Sequence, residues 1–302
     1  MAGYLFTHFI GDFDGGEQLY FSVSRDGLHW EDLNKGKPVI CSQTGTCGIR
    51  DPFPVRHPVT GKFYLLATDL KIAVTKDWMK ARESGSRELL IWESDDLVHW
   101  SEVRTFTAAP EGAGCAWAPE AVFDEERQAF MMFWSTMDGT DRKLKIYAAY
   151  TEDFRTFSEP FIYMERPQHV IDSTIVHDRG MYYRFSKDEE RGIILMEKSE
   201  SLTGEFQEIS SEQLEHMPGL EGPECYLLAD GRTWCLIADR FLEKKGYLPM
   251  LTEDLGTGRF RVLEDTEYDM GITRKRHGGI LSITDEEYER LAEAYESQAK
   301  WY

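Results

Sequence analysis

A turn that recurs five times limits what this chain can fold into more than any other feature. Ser24-Arg25-Asp26-Gly27-Leu28-His29-Trp30, Ser94-Asp95-Asp96-Leu97-Val98-His99-Trp100 and Thr151-Glu152-Asp153-Phe154-Arg155-Thr156-Phe157 each run from a hydroxyl residue through an aspartate to a closing aromatic. Looser copies lead from Ser199-Glu200-Ser201-Leu202 to Phe206 and from Thr252-Glu253-Asp254-Leu255 to Phe260. Ser, Thr and Asp make such turns by bonding their own backbone, and the aromatic closes the outer edge. Copies at roughly fifty- to seventy-residue spacing imply five similar units, a period suited to propeller blades. A second element, an apolar run ending in aspartate, recurs within each unit: Tyr4 to Asp12, Phe63 to Asp69, Phe130 to Asp138, Tyr182 to Asp188 and Trp234 to Asp239. The runs preceding these (49–55, 116–123, 170–176, 223–228 and 278–283) are the expected innermost strands. The predicted fold class is all-β: one five-bladed β-propeller over residues 1–302, made of four-stranded antiparallel blades. The first unit lacks an inner strand and Arg276-His277-Gly278-Gly279-Ile280-Leu281-Ser282-Ile283 lacks a following blade, so the two ends should share the closing blade.

Two segments depart from the repeat. Asp77-Trp78-Met79-Lys80-Ala81-Arg82, ending before Gly85, reads as a short helix inserted in a loop. Thr284-Asp285-Glu286-Glu287 opens a capping-box-like helix, with Tyr288, Leu291, Ala292, Tyr295 and Ala299 on one face, a brace against the propeller.

Composition narrows the partners. A formal net charge of −20 argues against nucleic acid and anionic membranes and leaves a neutral ligand such as a sugar compatible. No apolar run approaches the ~20 residues of a membrane helix, and the start shows no secretory pattern. Cys41, Cys47, Cys115, Cys225 and Cys235 are scattered and odd in number, which fits reduced thiols and a cytoplasmic location. Cys225 and Cys235 lie in apolar runs and read as buried, inert thiols.

An inner strand and its successor run antiparallel, so the start of one and the end of the next share a face. Asp51, Asp172 and Glu221, at or just before inner-strand starts, should collect at one mouth with Asp69, Asp138, Asp188 and Asp239. An acidic funnel is expected, unless the strand-end aspartates serve only their turns. Glycosidic hydrolysis needs two carboxylates, one protonated and one ionised, and a third charge helps to separate their pKa values. Trp117, at an inner-strand start, is a candidate for stacking on a sugar, and Arg184 one for binding a hydroxyl or pairing with Asp172. Arg50 and Phe53 flank Asp51 and complete the candidate substrate contacts, with packing the plainer role for Phe53.

Arg50-Asp51-Pro52, Trp117-Ala118-Pro119-Glu120, Ile171-Asp172-Ser173, Glu221-Gly222-Pro223 and Arg276-His277-Gly278 occur in the order of glycoside hydrolase family 43, which the whole chain resembles. The resemblance implies an inverting hydrolase of β-D-xylosides, α-L-arabinofuranosides or arabinans; the cytoplasmic reading and the absence of an obvious binding module add the expectation of exo action, removing terminal α-L-arabinofuranosyl or β-D-xylosyl residues from short oligosaccharides. The resemblance makes Asp51 the general base, Glu221 the general acid, and Asp172 the residue that orients the acid and raises its pKa, with Glu224 as the rival acid. No cofactor is implied. His277 corresponds to a histidine that in several members lies on a central calcium or its water shell, although imidazole is not a favoured ligand for Ca²⁺. Family members usually carry proline at Ser173. The competing readings are a fructosidase-like retaining enzyme, for which Asp12 is a poor nucleophile, a phosphorylase drawing on Arg50, Arg184 and Arg276, and a non-catalytic carbohydrate-binding propeller.

Overall fold

The computed structural model describes residues 3–295 and contains five four-stranded antiparallel sheets arranged in a ring. The closing blade supplies β1 (Gly3–His8), β2 (Tyr20–Ser24) and β3 (Glu31–Asp32). The first complete blade is β4 (Arg50–Arg56), β5 (Phe63–Thr68), β6 (Glu88–Ser94) and β7 (Arg104–Thr107), with helix α1 (Trp78–Ser84) inserted after β5. The second is β8 (Trp117–Asp124), β9 (Ala129–Met137), β10 (Leu144–Thr151) and β11 (Phe161–Met164). The third is β12 (Val170–Asp178), β13 (Met181–Asp188), β14 (Ile193–Ser199) and β15 (Gln207–Glu208), followed by the one-turn helix α2 (Glu212–Glu215). The fourth is β16 (Glu221–Leu227), β17 (Trp234–Asp239), β18 (Tyr247–Thr252) and β19 (Arg261–Val262). The last inner strand, β20 (Gly278–Ile283), pairs with β1 from Gly3↔Ile283 to His8↔Gly278, so the two ends share a blade as the sequence implies.

The apolar runs are explained by where the core sits. It is divided into wedges between neighbouring blades rather than gathered in one centre. Tyr64 and Leu66 of β5 meet Phe130, Met132 and Trp134 of β9, while Phe185 of β13 and Met196 of β14 meet Leu236 of β17. A middle strand therefore buries both faces, and β9 is buried along its whole length. Cys225 and Cys235 lie in such wedges, fully or nearly fully covered, and burial raises both thiol pKa values, that of Cys235 to about 12.

The repeated turn forms as its chemistry requires. The Asp26 carboxylate accepts from the amides of Leu28 and His29, both at 2.8 Å; Asp96 does so from Val98 and His99, and Asp153 from Arg155 and Thr156. The residue after each aspartate takes a left-handed conformation: Gly27, Leu97 and Phe154.

Helix α3 (Asp285–Tyr295) braces the closure. Its cap is reciprocal, with the Glu287 amide donating to Thr284 Oγ1 at 3.2 Å and the Thr284 amide to Glu287 Oε2 at 2.8 Å. Glu287 also takes both terminal nitrogens of Arg56 on β4, at 2.7 Å each, which ties the helix to the next blade. Tyr288, Leu291 and Tyr295 pack into the wedge between the closing and first blades; Ala299 lies outside the described residues. Thr284→Ala should cost about 1 kcal/mol and Glu287→Ala about 2 kcal/mol, since the second loses the cap and the Arg56 pair. Urea unfolding checks this; midpoints equal to wild type would show that α3 is not a brace.

Candidate active site

Four inner strands begin with the same backbone device. In β4, β8, β12 and β16 the register against the next strand slips just inside the strand start. The residue at the slip has a left-handed backbone: Asp51 (φ 48°), Ala118 (49°), Asp172 (51°) and Gly222 (53°). Such bulges add one unpaired residue and re-aim its side chain. Asp51 and Asp172 occupy this position, whereas Glu221 precedes it, in register with Arg50, Trp117 and Ile171. Glycine follows Glu221 because a Cβ at Gly222 would lie 2.6 Å from the His277 ring.

The three acids line one pocket of about 810 Å³, together with Trp117, Arg50 and His277. Asp51 Oδ2 accepts from Thr68 Oγ1 at 2.8 Å, and its Oδ1 lies 3.5 Å from His277 Nδ1. The same Nδ1 lies 3.8 Å from Asp172 Oδ1, and Asp172 Oδ2 accepts the Gly222 amide at 3.2 Å. Glu221 is held from both sides: Lys187 Nζ at 3.0 Å on Oε2 and Arg276 Nη2 at 2.7 Å on Oε1. Arg276 also donates to Asp239.

These contacts distribute the charge in a way the sequence did not reveal. Burial pushes the Asp172 carboxyl up to about 6, and neighbouring Glu221 and Asp51 add to the rise while His277 opposes it. Burial pushes Glu221 in the same direction, but Lys187 and Arg276 overcome it and hold Glu221 below the usual carboxylate range. The expectation that Asp172 raises the pKa of Glu221 therefore meets two cations that act more strongly. Of the two, Asp172 holds a proton to the higher pH.

Several expectations are corrected. Among the described residues the mouth is not an acidic funnel, because seven Lys and Arg side chains line the pocket against five Asp and Glu. Of the strand-end aspartates, Asp69 bonds Thr46 and Ser86, Asp138 bonds Thr140 and Tyr147, and Asp188 accepts from the amides of Glu190 and Arg191. They serve their turns. Arg184 does not reach the pocket; its guanidinium pairs with Glu197 at 2.9 Å and lies 4.0 Å over the Phe206 ring. The reason is geometric: the faces of a middle strand look at neighbouring blades, and only strand ends reach the axis. Lys187, three residues on at the end of β13, does reach it. Phe53 packs beside Gly279 and is absent from the pocket lining. Arg50 lines the pocket, but its guanidinium is committed to Asp12 at 2.5 Å and Glu17 at 3.0 Å. Glu224 lies behind the bulge, accepting the Ile280 amide at 3.1 Å, and does not line the pocket. No group of three or more His, Cys, Asp or Glu among the described residues forms a metal cage. His277 Nδ1 faces the carboxylates of Asp51 and Asp172.

Sequence reading missed Lys187, Thr68, Trp78 and Phe241. Trp78 on α1 stands edge-on to Trp117, ring centres 6.5 Å apart, and Phe241 lies 4.3 Å from Lys187 Nζ. No periodic signal marks any of them, since they come from a strand end, an insertion and a loop.

A five-bladed propeller with acids from the inner-strand starts of its first, third and fourth blades around one pocket is the architecture of a glycoside hydrolase. Residues 1–289 match the family model described as a probable glycosyl hydrolase domain, and the chain belongs to that family, which is related to glycoside hydrolase family 43. An α-L-arabinofuranosidase of Bifidobacterium longum subsp. longum is 30% identical over 244 residues, which are 70% of this chain and 23% of that protein. The chain thus spans about a quarter of the length of that curated relative. Among solved structures, a family-43 β-1,3-galactosidase superposes with TM-score 0.64 at 12% identity, covering 89% of this chain and 58% of the other. An α-L-arabinanase of Cellvibrio cellulosa, complexed with arabinohexaose, superposes with TM-score 0.58 at 16% identity, covering 90% and 96%. These likenesses concern the fold.

The buried Glu224 carries a testable consequence. Burial raises its carboxyl pKa to about 8, so the folded state holds a proton there that the unfolded chain releases near the ordinary value of 4.5. Its contribution to stability is fully present below about pH 4.5 and is lost as pH rises toward 8. Glu224→Gln should therefore raise the melting temperature relative to wild type more at pH 8 than at pH 5. A difference independent of pH would show that this carboxyl is not protonated in the fold.

Proposed function

We propose that this domain hydrolyses terminal α-L-arabinofuranosyl residues from short oligosaccharides with inversion, β-D-xylosyl residues being the second choice. The observation that carries the reading is the gathering of Asp51, Asp172 and Glu221 from three blades into one pocket, with Glu221 clamped by two cations. The sugar preference leans on the arabinofuranosidase relative. Exo action and a reducing, cytoplasmic setting, the latter suggested by five free cysteines, belong to the same proposal.

In this mechanism Asp51 takes a proton from water as the water oxygen bonds the anomeric carbon. The bond from that carbon to the leaving oxygen breaks, and Glu221 gives that oxygen its proton. Thr68 and His277 fix the Asp51 carboxylate, and Trp117 offers a face for the sugar. Asp172 holds a proton to higher pH than Glu221, so turnover requires Glu221 to gain one against Lys187 and Arg276. A glycosidic oxygen lodged at Glu221 favours the protonated form, because it accepts the hydrogen bond. Asp172, linked to Glu221 through the Gly222 amide, then carries the compensating negative charge.

Glu221→Gln should lower kcat about 10²–10⁴-fold on natural glycosides and much less on an aryl glycoside with an activated leaving group. Asp51→Asn should lose rate on both, because water activation is still needed; full rescue by the activated substrate would overturn its role as base. NMR of the first product should show the inverted anomer, and a retained anomer would overturn the mechanism. The high-pH limb of kcat/KM should fall near pH 6, where Asp172 loses its proton. Lys187 lowers the pKa of Asp172 as well as that of Glu221, so Lys187→Met should move that limb upward by about one unit. An unmoved limb would remove Lys187 from proton control.

A further inference from the structure

The whole chain carries a net charge of −20, yet cations outnumber carboxylates around the pocket. Four of the seven have carboxylate partners: Arg50 with Asp12 and Glu17, Arg82 with Glu189, Lys187 with Glu189 and Glu221, and Arg276 with Glu221 and Asp239. The other three have none at ion-pair distance, although the Lys76 charge still acts on the Asp12 carboxylate. Lys76, Lys244 and Arg274 make no ion pair within 4.0 Å among the described residues. They come from three separate loops and meet at one turn. Lys76 donates to the Asp12 carbonyl, Arg274 Nη2 lies against Gly11, and Arg274 Nη1 is 3.3 Å from the Lys244 carbonyl. Lys76 and Lys244 are solvent-exposed, which places the group on the outer rim, above the acids. Phe13 and Trp78, both about half exposed, and Phe241 stand among them in the same pocket wall.

We propose that this rim recognises an anionic group on the leaving-group side of the substrate, the carboxylate of an acidic sugar. The inference rests on the glycosidase reading. With the terminal sugar deep between Asp51 and Glu221, the rest of the oligosaccharide leaves the pocket past the rim. Lys244 and Arg274 flank the β17–β18 loop and β20, the elements that also carry Asp239 and Arg276 and so frame Glu221, the residue facing the leaving oxygen. Exposed aromatics offer flat faces for sugar rings, and unpaired cations between them select charge. The same chemistry would attract inorganic phosphate. A phosphate placed to attack the anomeric carbon, however, would sit against Asp51, and Arg50 beside it is already committed.

The test compares two disaccharides, arabinofuranosyl-glucuronate and arabinofuranosyl-glucose, by kcat/KM and by calorimetric binding to the Glu221→Gln protein. The glucuronate should be favoured roughly tenfold at about 0.02 M salt and much less at about 0.5 M. The double variant Lys244→Ala/Arg274→Ala should bring the ratio close to one, and Lys244→Arg/Arg274→Lys should keep it. A wild-type ratio near one, or a preference that survives the alanine substitutions, would overturn the inference. If neither disaccharide is cleaved, the hydrolase reading fails separately, and the binding ratio still decides on the rim. Formation of an arabinosyl phosphate when inorganic phosphate is added would assign the cations to a co-substrate and overturn the proposal.

Discussion

The site depends on a single irregularity in backbone pairing. Inner strands of a propeller run close to the axis, where a regular strand would aim its side chains into the packed wedges between blades. One extra residue in a left-handed conformation at the start of β4, β8, β12 and β16 breaks that alternation and turns the strand start toward the mouth. A left-handed backbone in a non-glycine residue costs of order 1 kcal/mol, and such strain concentrates at functional sites. Here it falls on Asp51, Ala118 and Asp172, and on a glycine after Glu221. The β20 start lacks the slip and contributes Arg276 and His277 from the segment before the strand. Four slipped strands and one regular one therefore give an asymmetric mouth from a nearly symmetric ring.

That asymmetry is what allows three similar carboxyls to hold different charges. Asp172 sits among acids and loses the stabilisation that water would give its charge; Glu221 sits between Lys187 and Arg276. Burial acts on both in one direction; neighbouring carboxylates add to it at Asp172, and two cations overcome it at Glu221. A layer further in, burial leaves Glu224 protonated to about pH 8 and holds Glu120 well above its ordinary value. The axis thus passes from a charged mouth to a neutral interior.

The sequence made most of the frame legible. The turn repeat located the blades, and the inner strands begin within two residues of where the apolar runs place them, because hydrophobic alternation and Asp-turn chemistry are local. Asp51, Asp172 and Glu221 share one pocket, as strand polarity, which puts strand starts on one face, implies. Arg184 and Phe53 were misplaced because a face of a strand inside a propeller looks at another blade, which periodicity cannot show. The cations escaped for another reason. Lys187 is a charged residue at the end of an apolar run, and Lys76, Lys244 and Arg274 lie in loops whose convergence is a property of the closed ring.

The pairing of β20 with β1 joins segments about 270 residues apart in the chain, a long-range contact of the kind that forms late. Arg276 and His277 stand immediately before β20, so they cannot reach Glu221, Asp51 and Asp172 until that contact exists. Without that contact the mouth lacks its last wall, even with the other four blades formed. The unclosed chain displays acids without the arginine that tunes them and an open wedge in place of a pocket. The pocket is thus completed in one step, when the final strand docks, and a chain that lacks only that strand has most of the fold without its mouth.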